Sequence, residues 1–188
     1  IIRTWTNLNA SFAPCMPPRG NIGFISQSGA LADSVIDWAI GERYGMSTII
    51  SYGNGAMLDA ADFLEWLSKD EKTKAITLYL EGLKDPLKFF KIAKEVTKKK
   101  PVVVIKGGRT DEGQKAISSH TGSLAGDYEI YEAMFKQAGI IVADTVEELF
   151  DTAKALANQP PMKQNGVAII TNGGGAGVLT ADYCREFG

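Results

Sequence analysis

The 188-residue chain holds one histidine, His120, inside the run Ser118-Ser119-His120-Thr121-Gly122-Ser123-Leu124-Ala125-Gly126. A neutral imidazole nitrogen can attack phosphorus and carry the phosphoryl group as a covalent intermediate. Such a nucleophile needs an acceptor on its other ring nitrogen to fix the tautomer. Glu81 can serve: it closes the apolar run Ala75–Leu80, where a carboxylate is otherwise an odd choice. Ser26, Gln27, Ser28 and Gly29 follow a second apolar run and open a helical pattern. Small residues at a helix start let backbone N–H groups and a partial positive charge approach an anion. Each group also has a plain structural reading: a solvent-exposed loop histidine, a rim carboxylate solvated by water, a serine that merely caps a helix. Lys106, Arg109 and Lys115 could neutralise phosphate, but basic residues in a polar segment are ordinarily just solvated, and Asn54 reads as a turn residue.

These residues must be positioned by the elements around them. Between residues 21 and 157, short apolar runs alternate with longer amphipathic segments, the mark of βαβ units and a parallel sheet. The strands expected are Asn21–Ser26, Ser47–Tyr52, Ala75–Leu80, Pro101–Lys106 and Ile140–Ala143. Helices are expected over Gly29–Arg43 and Asp59–Ser68, from Asp85-Pro86 to the lysines at 98–100, around Tyr131–Phe135 up to Gly139, and from Thr145. Asp85 before Pro86, Gly139 and the Thr145…Glu148 spacing supply the caps. Gly107–Ser119 reads as a long polar loop.

Five strands alternating with five helices imply an α/β, flavodoxin-like doubly wound domain with strand order 2-1-3-4-5. Ligands in such sheets sit outside the carboxyl ends of the strands. That places the Ser26–Gly29 turn, Glu81 and the segment reaching His120 on one rim.

Residues 1–20, with Pro14, Pro17 and Pro18, read as a linker from a preceding domain, and residues 158–165 as a second linker. Residues 166–188 read as the first strand-loop-helix of a truncated second α/β domain: strand Gly166–Thr171, glycine-rich turn Asn172–Gly177, helix Val178–Phe187. With Ile1 first and Gly188 last, the chain reads as a piece of something longer.

The 20 Lys and Arg nearly balance the 22 Asp and Glu, for a net charge of −2. That argues against a nucleic-acid binder or a polybasic membrane-surface protein. No apolar run approaches the roughly 20 residues that span a bilayer. Cys15 and Cys184 have no metal-ligand spacing, which points to a reduced, cytoplasmic protein without a metal site. Walker A, nucleophile-elbow and G-x-G-x-x-G patterns all fail on inspection.

Five segments together resemble a family: GNIGFISQSGAL (20–31), AITLYLEGLKD (75–85), KPVVVIKGGRT (100–110), SSHTGSLAG (118–126) and ITNGGGAGVLTAD (170–182). They are similar to the ADP-forming acyl-CoA synthetases of the acetate–CoA ligase type, in the succinyl-CoA synthetase superfamily. The resemblance implies the reaction acid + CoA + ATP ⇌ acyl-CoA + ADP + phosphate. It implies that His120 is the phosphorylated nucleophile, that Glu81 orients it, and that Ser26, Gln27, Ser28 and Gly29 receive the phosphate. By the same likeness Asn172, Gly173 and Gly174 help bind the substrate carboxylate.

CoA and ATP with Mg would be co-substrates bound mainly by other parts, with no tightly bound cofactor. The implied partners are an ATP-grasp subunit or domain, a CoA-binding domain and a small carboxylic acid, in an oligomer. Gly55-Ala56-Met57-Leu58 departs from the more polar stretch usual there. The competing expectation is a non-catalytic acyl-CoA-sensing module of a protein acyltransferase, which His120 disfavours. A plain flavin binder finds no aromatic pair placed to sandwich a flavin ring.

Overall fold

The computed structural model describes residues 1–121, 126–160 and 166–186. Among these, β1 (Ile2–Arg3), β2 (Leu8–Asn9), β3 (Arg19–Ser26), β4 (Met46–Ser51), β5 (Ala75–Leu80), β6 (Val102–Lys106) and β7 (Ile141–Val142) form one sheet. Its order is β2-β1-β4-β3-β5-β6-β7. The last five strands are all parallel, β3 flanked by β4 and β5, β5 by β6, and β6 by β7. This is the expected 2-1-3-4-5 arrangement.

Two antiparallel strands extend it. The stretch expected to be a linker folds Ile2–Arg3 against Thr48–Ile49 of β4 and against Leu8–Asn9. Ile2 is fully buried, so an apolar contact decides the matter where the prolines had suggested a free segment. Apolar burial of one such side chain contributes roughly 1.5–3 kcal/mol.

The α-helices among the described residues are α1 (Gly29–Gly41), α2 (Ala60–Lys69), α3 (Pro86–Val96), α4 (Asp111–Thr121), α5 (Tyr128–Ala138), α6 (Val146–Asn158) and α7 (Gly174–Glu186), and five of them cover the two faces of the sheet. Leu64 and Leu67 of α2, Phe89 and Ala93 of α3, and Phe135 of α5 pack with Ile76, Leu78 and Val104 on one side. Val35 and Ile36 of α1 and Leu149 and Phe150 of α6 pack with Phe24 and Val103 on the other. Alternate residues of one strand thus serve opposite cores, which explains why strands covered on both faces read as continuous apolar runs. The caps lie where the residue types put them. Asp85 accepts the Lys88 N–H ahead of Pro86, Thr145 accepts the Glu148 N–H, and Gly139 is left-handed at φ 74°.

Two expected elements differ. Gly107–Ser119 is not a loop, because α4 occupies Asp111–Thr121. Thr110 caps it, its Oγ1 accepting the Gly113 N–H at 3.1 Å and its carbonyl the Gln114 N–H at 2.9 Å, with Asp111 and Glu112 in the first turn. Residues 166–171, expected as the first strand of a second domain, run without a strand partner among the described residues, and a strand exists only through such a partner. The helix α7 is present but buries no residue. Among the described residues no helix is long and apolar enough to cross a membrane.

Candidate functional site

β3 ends in the buried Ser26, whose hydroxyl donates to the Ser28 carbonyl at 2.7 Å and accepts the Ser28 N–H at 3.0 Å. That exchange closes the turn tightly. Ser28 then caps α1, its Oγ accepting the Leu31 N–H at 3.2 Å, and its carbonyl takes the Ala32 N–H. The Gly29 and Ala30 N–H groups are the first-turn donors that helix geometry does not satisfy. Ser28 is thus a cap, as its plain reading had it, and the helix mouth it builds presents the Gly29 and Ala30 amides, a methyl group on Gly29 standing 3.7 Å from the Ser51 hydroxyl.

Gln27 joins this turn to the next strand. Its N–H donates to the Tyr79 carbonyl, and its side-chain Oε1 accepts the Glu81 N–H and, at 3.0 Å, the Gly82 N–H. The carbamoyl oxygen is therefore committed to backbone, leaving the Nε2 donors as the part of Gln27 that a phosphate could use. Glu81 itself is 9% exposed. Its Oε1 accepts the Tyr79 hydroxyl at 3.3 Å. Burial first, and then the Glu81 carboxylate, hold the Tyr79 hydroxyl above the usual phenol range, so it stays a donor. Burial raises Tyr52 as well, with Asp59 and Glu81 adding to it.

Lys106 was expected to be solvated and is not: it is 2% exposed. Its Nζ donates to the Glu81 carbonyl at 2.9 Å and to the Gly107 carbonyl at 2.5 Å. It also lies 4.7 Å from the centroid of the Tyr131 ring, whose hydroxyl accepts the Leu83 N–H at 3.0 Å. Burial pushes the ammonium down to about 8, partly opposed by Glu81. A signal for this existed in the sequence. In Pro101–Lys106 the near-continuous apolar run marks a strand covered on both faces, so a side chain at position 106 is buried whichever face it takes. Arg109 is likewise engaged, pairing with Asp144 at 2.6 Å over the Tyr128 ring.

Gly107 and Gly108 carry the chain out of β6 into α4. A methyl group on Gly107 would meet the Tyr79 hydroxyl at 3.2 Å, and Gly108 is left-handed at φ 74°. Helix α4 buries Ile117, and the His120 backbone falls in its last turn. The His120 side chain, with residues 122–125, lies outside the described residues. The structure thus joins Ser26 to Ser28 and Gln27 to Glu81 by direct hydrogen bonds, with Gly29 next in the same turn. His120 is reached from the neighbouring strand β6. Asn172, Gly173 and Gly174 stand apart at the start of α7, where Thr171 Oγ1 accepts the Gly173 N–H at 3.0 Å.

A doubly wound parallel sheet whose β3–α1 turn is bonded through Gln27 to the backbone of the turn after β5 is that of the flavodoxin-like α/β domains. Residues 19–156 match the succinyl-CoA ligase-like flavodoxin domain, and the chain belongs to that family. It is 49% identical over its whole length to the alpha subunit of the Pyrococcus furiosus ADP-forming acetate–CoA ligase I, of which it covers 41%. It is 50% identical, again over its whole length, to the Archaeoglobus fulgidus ADP-forming acetate–CoA ligase I, covering 27% of that chain. The Ca. Korarchaeum cryptofilum dinucleotide-forming acetyl-coenzyme A synthetase 1, solved with phosphate and ADP, superposes with a TM-score of 0.92 at 44% identity. That match covers 98% of this chain and 40% of the other. The chain therefore spans less than half the length of the relatives it matches.

Proposed function

We propose that this chain is the phosphoryl-carrying segment of an ADP-forming acyl-CoA ligase acting on acetate or a similar small carboxylic acid. The overall reaction is acid + CoA + ATP ⇌ acyl-CoA + ADP + phosphate. In the forward direction an imidazole nitrogen of His120 attacks the γ-phosphorus of ATP, a P–N bond forms, and ADP leaves. The substrate carboxylate then attacks the phosphohistidine, giving acyl phosphate and free His120. CoA thiol attacks the acyl carbon and releases inorganic phosphate. Phosphate and acyl phosphate are held at the Ser26–Gly29 turn, and Asn172, Gly173 and Gly174 contribute to the carboxylate site. ATP with Mg is bound by an ATP-grasp subunit or domain and CoA by a further domain, in a cytoplasmic oligomer.

The observation that carries this reading is that Gln27 Oε1 accepts the Glu81 and Gly82 N–H groups. That contact joins the turn after β3 to the turn after β5, which supports a reading in which the helix mouth and the Glu81 carboxylate serve one phosphoryl group. The incoming dianion would find the Gly29 and Ala30 amides, each charge-assisted bond contributing roughly 1.5–3 kcal/mol. Glu81 would hold the imidazole tautomer and favour the imidazolium that exists while phosphoryl arrives.

The test is phosphorylation of the chain by ATP in the presence of the ATP-grasp module. One acid-labile, base-stable phosphate per chain is expected, and none in His120→Ala. Label that survives His120→Ala, or wild-type protein that binds acyl-CoA but never takes label, rejects the assignment, the second outcome favouring a sensing module.

A further inference from the structure

The geometry points to Lys106 as a positioning residue that ties the Glu81 turn to the root of helix α4, and so fixes the carboxylate relative to the helix carrying His120. This rests on the roles proposed above for His120 and Glu81.

Lys106 is an unusual choice for stability alone. Its ammonium is buried, yet among the described residues it makes no ion pair; its partners are two neutral carbonyl oxygens and an aromatic face. Taking a cation out of water is costly, the nearby Glu81 charge offsets it only in part, and an apolar side chain of similar size would fill the same space. What an apolar residue could not do is bridge two backbones. Glu81 and Gly107 are the first residues beyond β5 and β6, and the Gly107 N–H already donates to the Leu80 carbonyl at 2.8 Å. The ammonium adds the reverse fastening, pulling the Glu81 and Gly107 carbonyls to one point.

The other side of the Glu81 turn is held by Gln27, and its continuation at Leu83 by the Tyr131 hydroxyl. With the tie intact, Glu81 cannot drift from the path along which α4 leaves the sheet. Charge also matters, because a hydrogen bond from an ionised donor is roughly twice as strong as a neutral one.

The experiment compares Lys106→Met, Lys106→Gln, Glu81→Gln and the Lys106→Met/Glu81→Gln double variant in the ligase that contains this chain, with its ATP-grasp module present. The readout is the single-turnover rate of His120 phosphorylation, with amide hydrogen exchange at Glu81 and Gly82 measured alongside. Lys106→Met should slow phosphorylation by about tenfold and speed exchange at Glu81 and Gly82 by a similar factor. In the double variant the rate should match that of Glu81→Gln alone, because Lys106 acts through that carboxylate. A merely structural lysine would give two independent, multiplying factors, which would overturn the proposal.

Lys106→Gln covers the case in which Met prevents folding, and should loosen the same two amides with a smaller loss of rate. Unchanged exchange at Glu81 and Gly82 in either folded variant overturns the tie by itself. Absence of phosphohistidine in the unmodified ligase would instead overturn the functional reading, while the exchange measurement still decides the tie.

Discussion

Replacing Gln27 with leucine removes one oxygen and strands two donors. In the folded chain Gln27 Oε1 accepts the Glu81 and Gly82 amides, and Glu81 is buried. A buried N–H left without a partner costs about 1–3 kcal/mol. The Gly82 amide sits nearer water and recovers part of its loss, and the leucine side chain regains some apolar contact. The net destabilisation expected for Gln27→Leu is therefore about 2 kcal/mol. For a chain of this size each kcal/mol moves the melting temperature by roughly 2–4 °C, so a fall of about 4–8 °C should appear by calorimetry. Amide exchange localises the effect: Glu81 and Gly82 should lose protection while the centres of β3 and β5 keep theirs. A melting temperature within about 1 °C of the parent, with unaltered protection at those two amides, would refute the claim that Gln27 couples the two turns.

Three other outcomes follow from different parts of the molecule. A Cβ on Gly20 would lie 2.2 Å from the Gly45 Cα, backbone against backbone, so Gly20→Ala should cost on the order of 3 kcal/mol. A urea midpoint equal to that of the parent would contradict it. Thr48 Oγ1 is buried without a hydrogen-bond partner among the described residues, so Thr48→Val should raise stability by about 1 kcal/mol, and a fall in the urea midpoint would show that the hydroxyl is satisfied. Because the folded-state Lys106 ammonium lies near 8 against 10.5 for the free group, the unfolded chain binds more protons between those values. Stability should therefore rise with pH across that window, by at most about 3 kcal/mol, and fall above pH 10 as Tyr52 and Tyr79 ionise only in the unfolded chain. The rise should shrink in Lys106→Met to the part left by Lys100, whose ammonium pKa burial also lowers; an undiminished rise there would assign it to another group.

Most of the parallel sheet was readable because its strands are covered on both faces and its helices carry strong end signals. Val102–Lys106 is near-continuously apolar for that reason, and Asp85-Pro86 and Gly139 punctuate the chain by known backbone chemistry. Helix α4 was missed because Gly107, Gly108, Gly113, Ser118 and Ser119 read as loop, while the decisive features were local: the Thr110 cap and the buried Ile117. The N-terminal strands were missed because two-residue strands carry no period, and only the burial of Ile2 betrays them. Ser26–Gly29 and Glu81 were legible as one rim from strand order alone. The commitment of Gln27 to backbone amides was not, since a long-range bond between residues 27 and 81 leaves no trace in local spacing. Lys106 lay in between: it ends an apolar run that is covered on both faces, yet its charge argued for solvent.

The short antiparallel pair at the start of the chain has a practical consequence for anyone trimming the protein to its family core. Residues 19–156 carry the family match, but cutting there would strip β1 from β4 and leave a bare strand edge with unpaired amides. Such an edge invites a second molecule to add a strand of its own. A shortened version lacking the first nine residues should therefore self-associate and precipitate on concentration, although none of the residues proposed for chemistry has been touched.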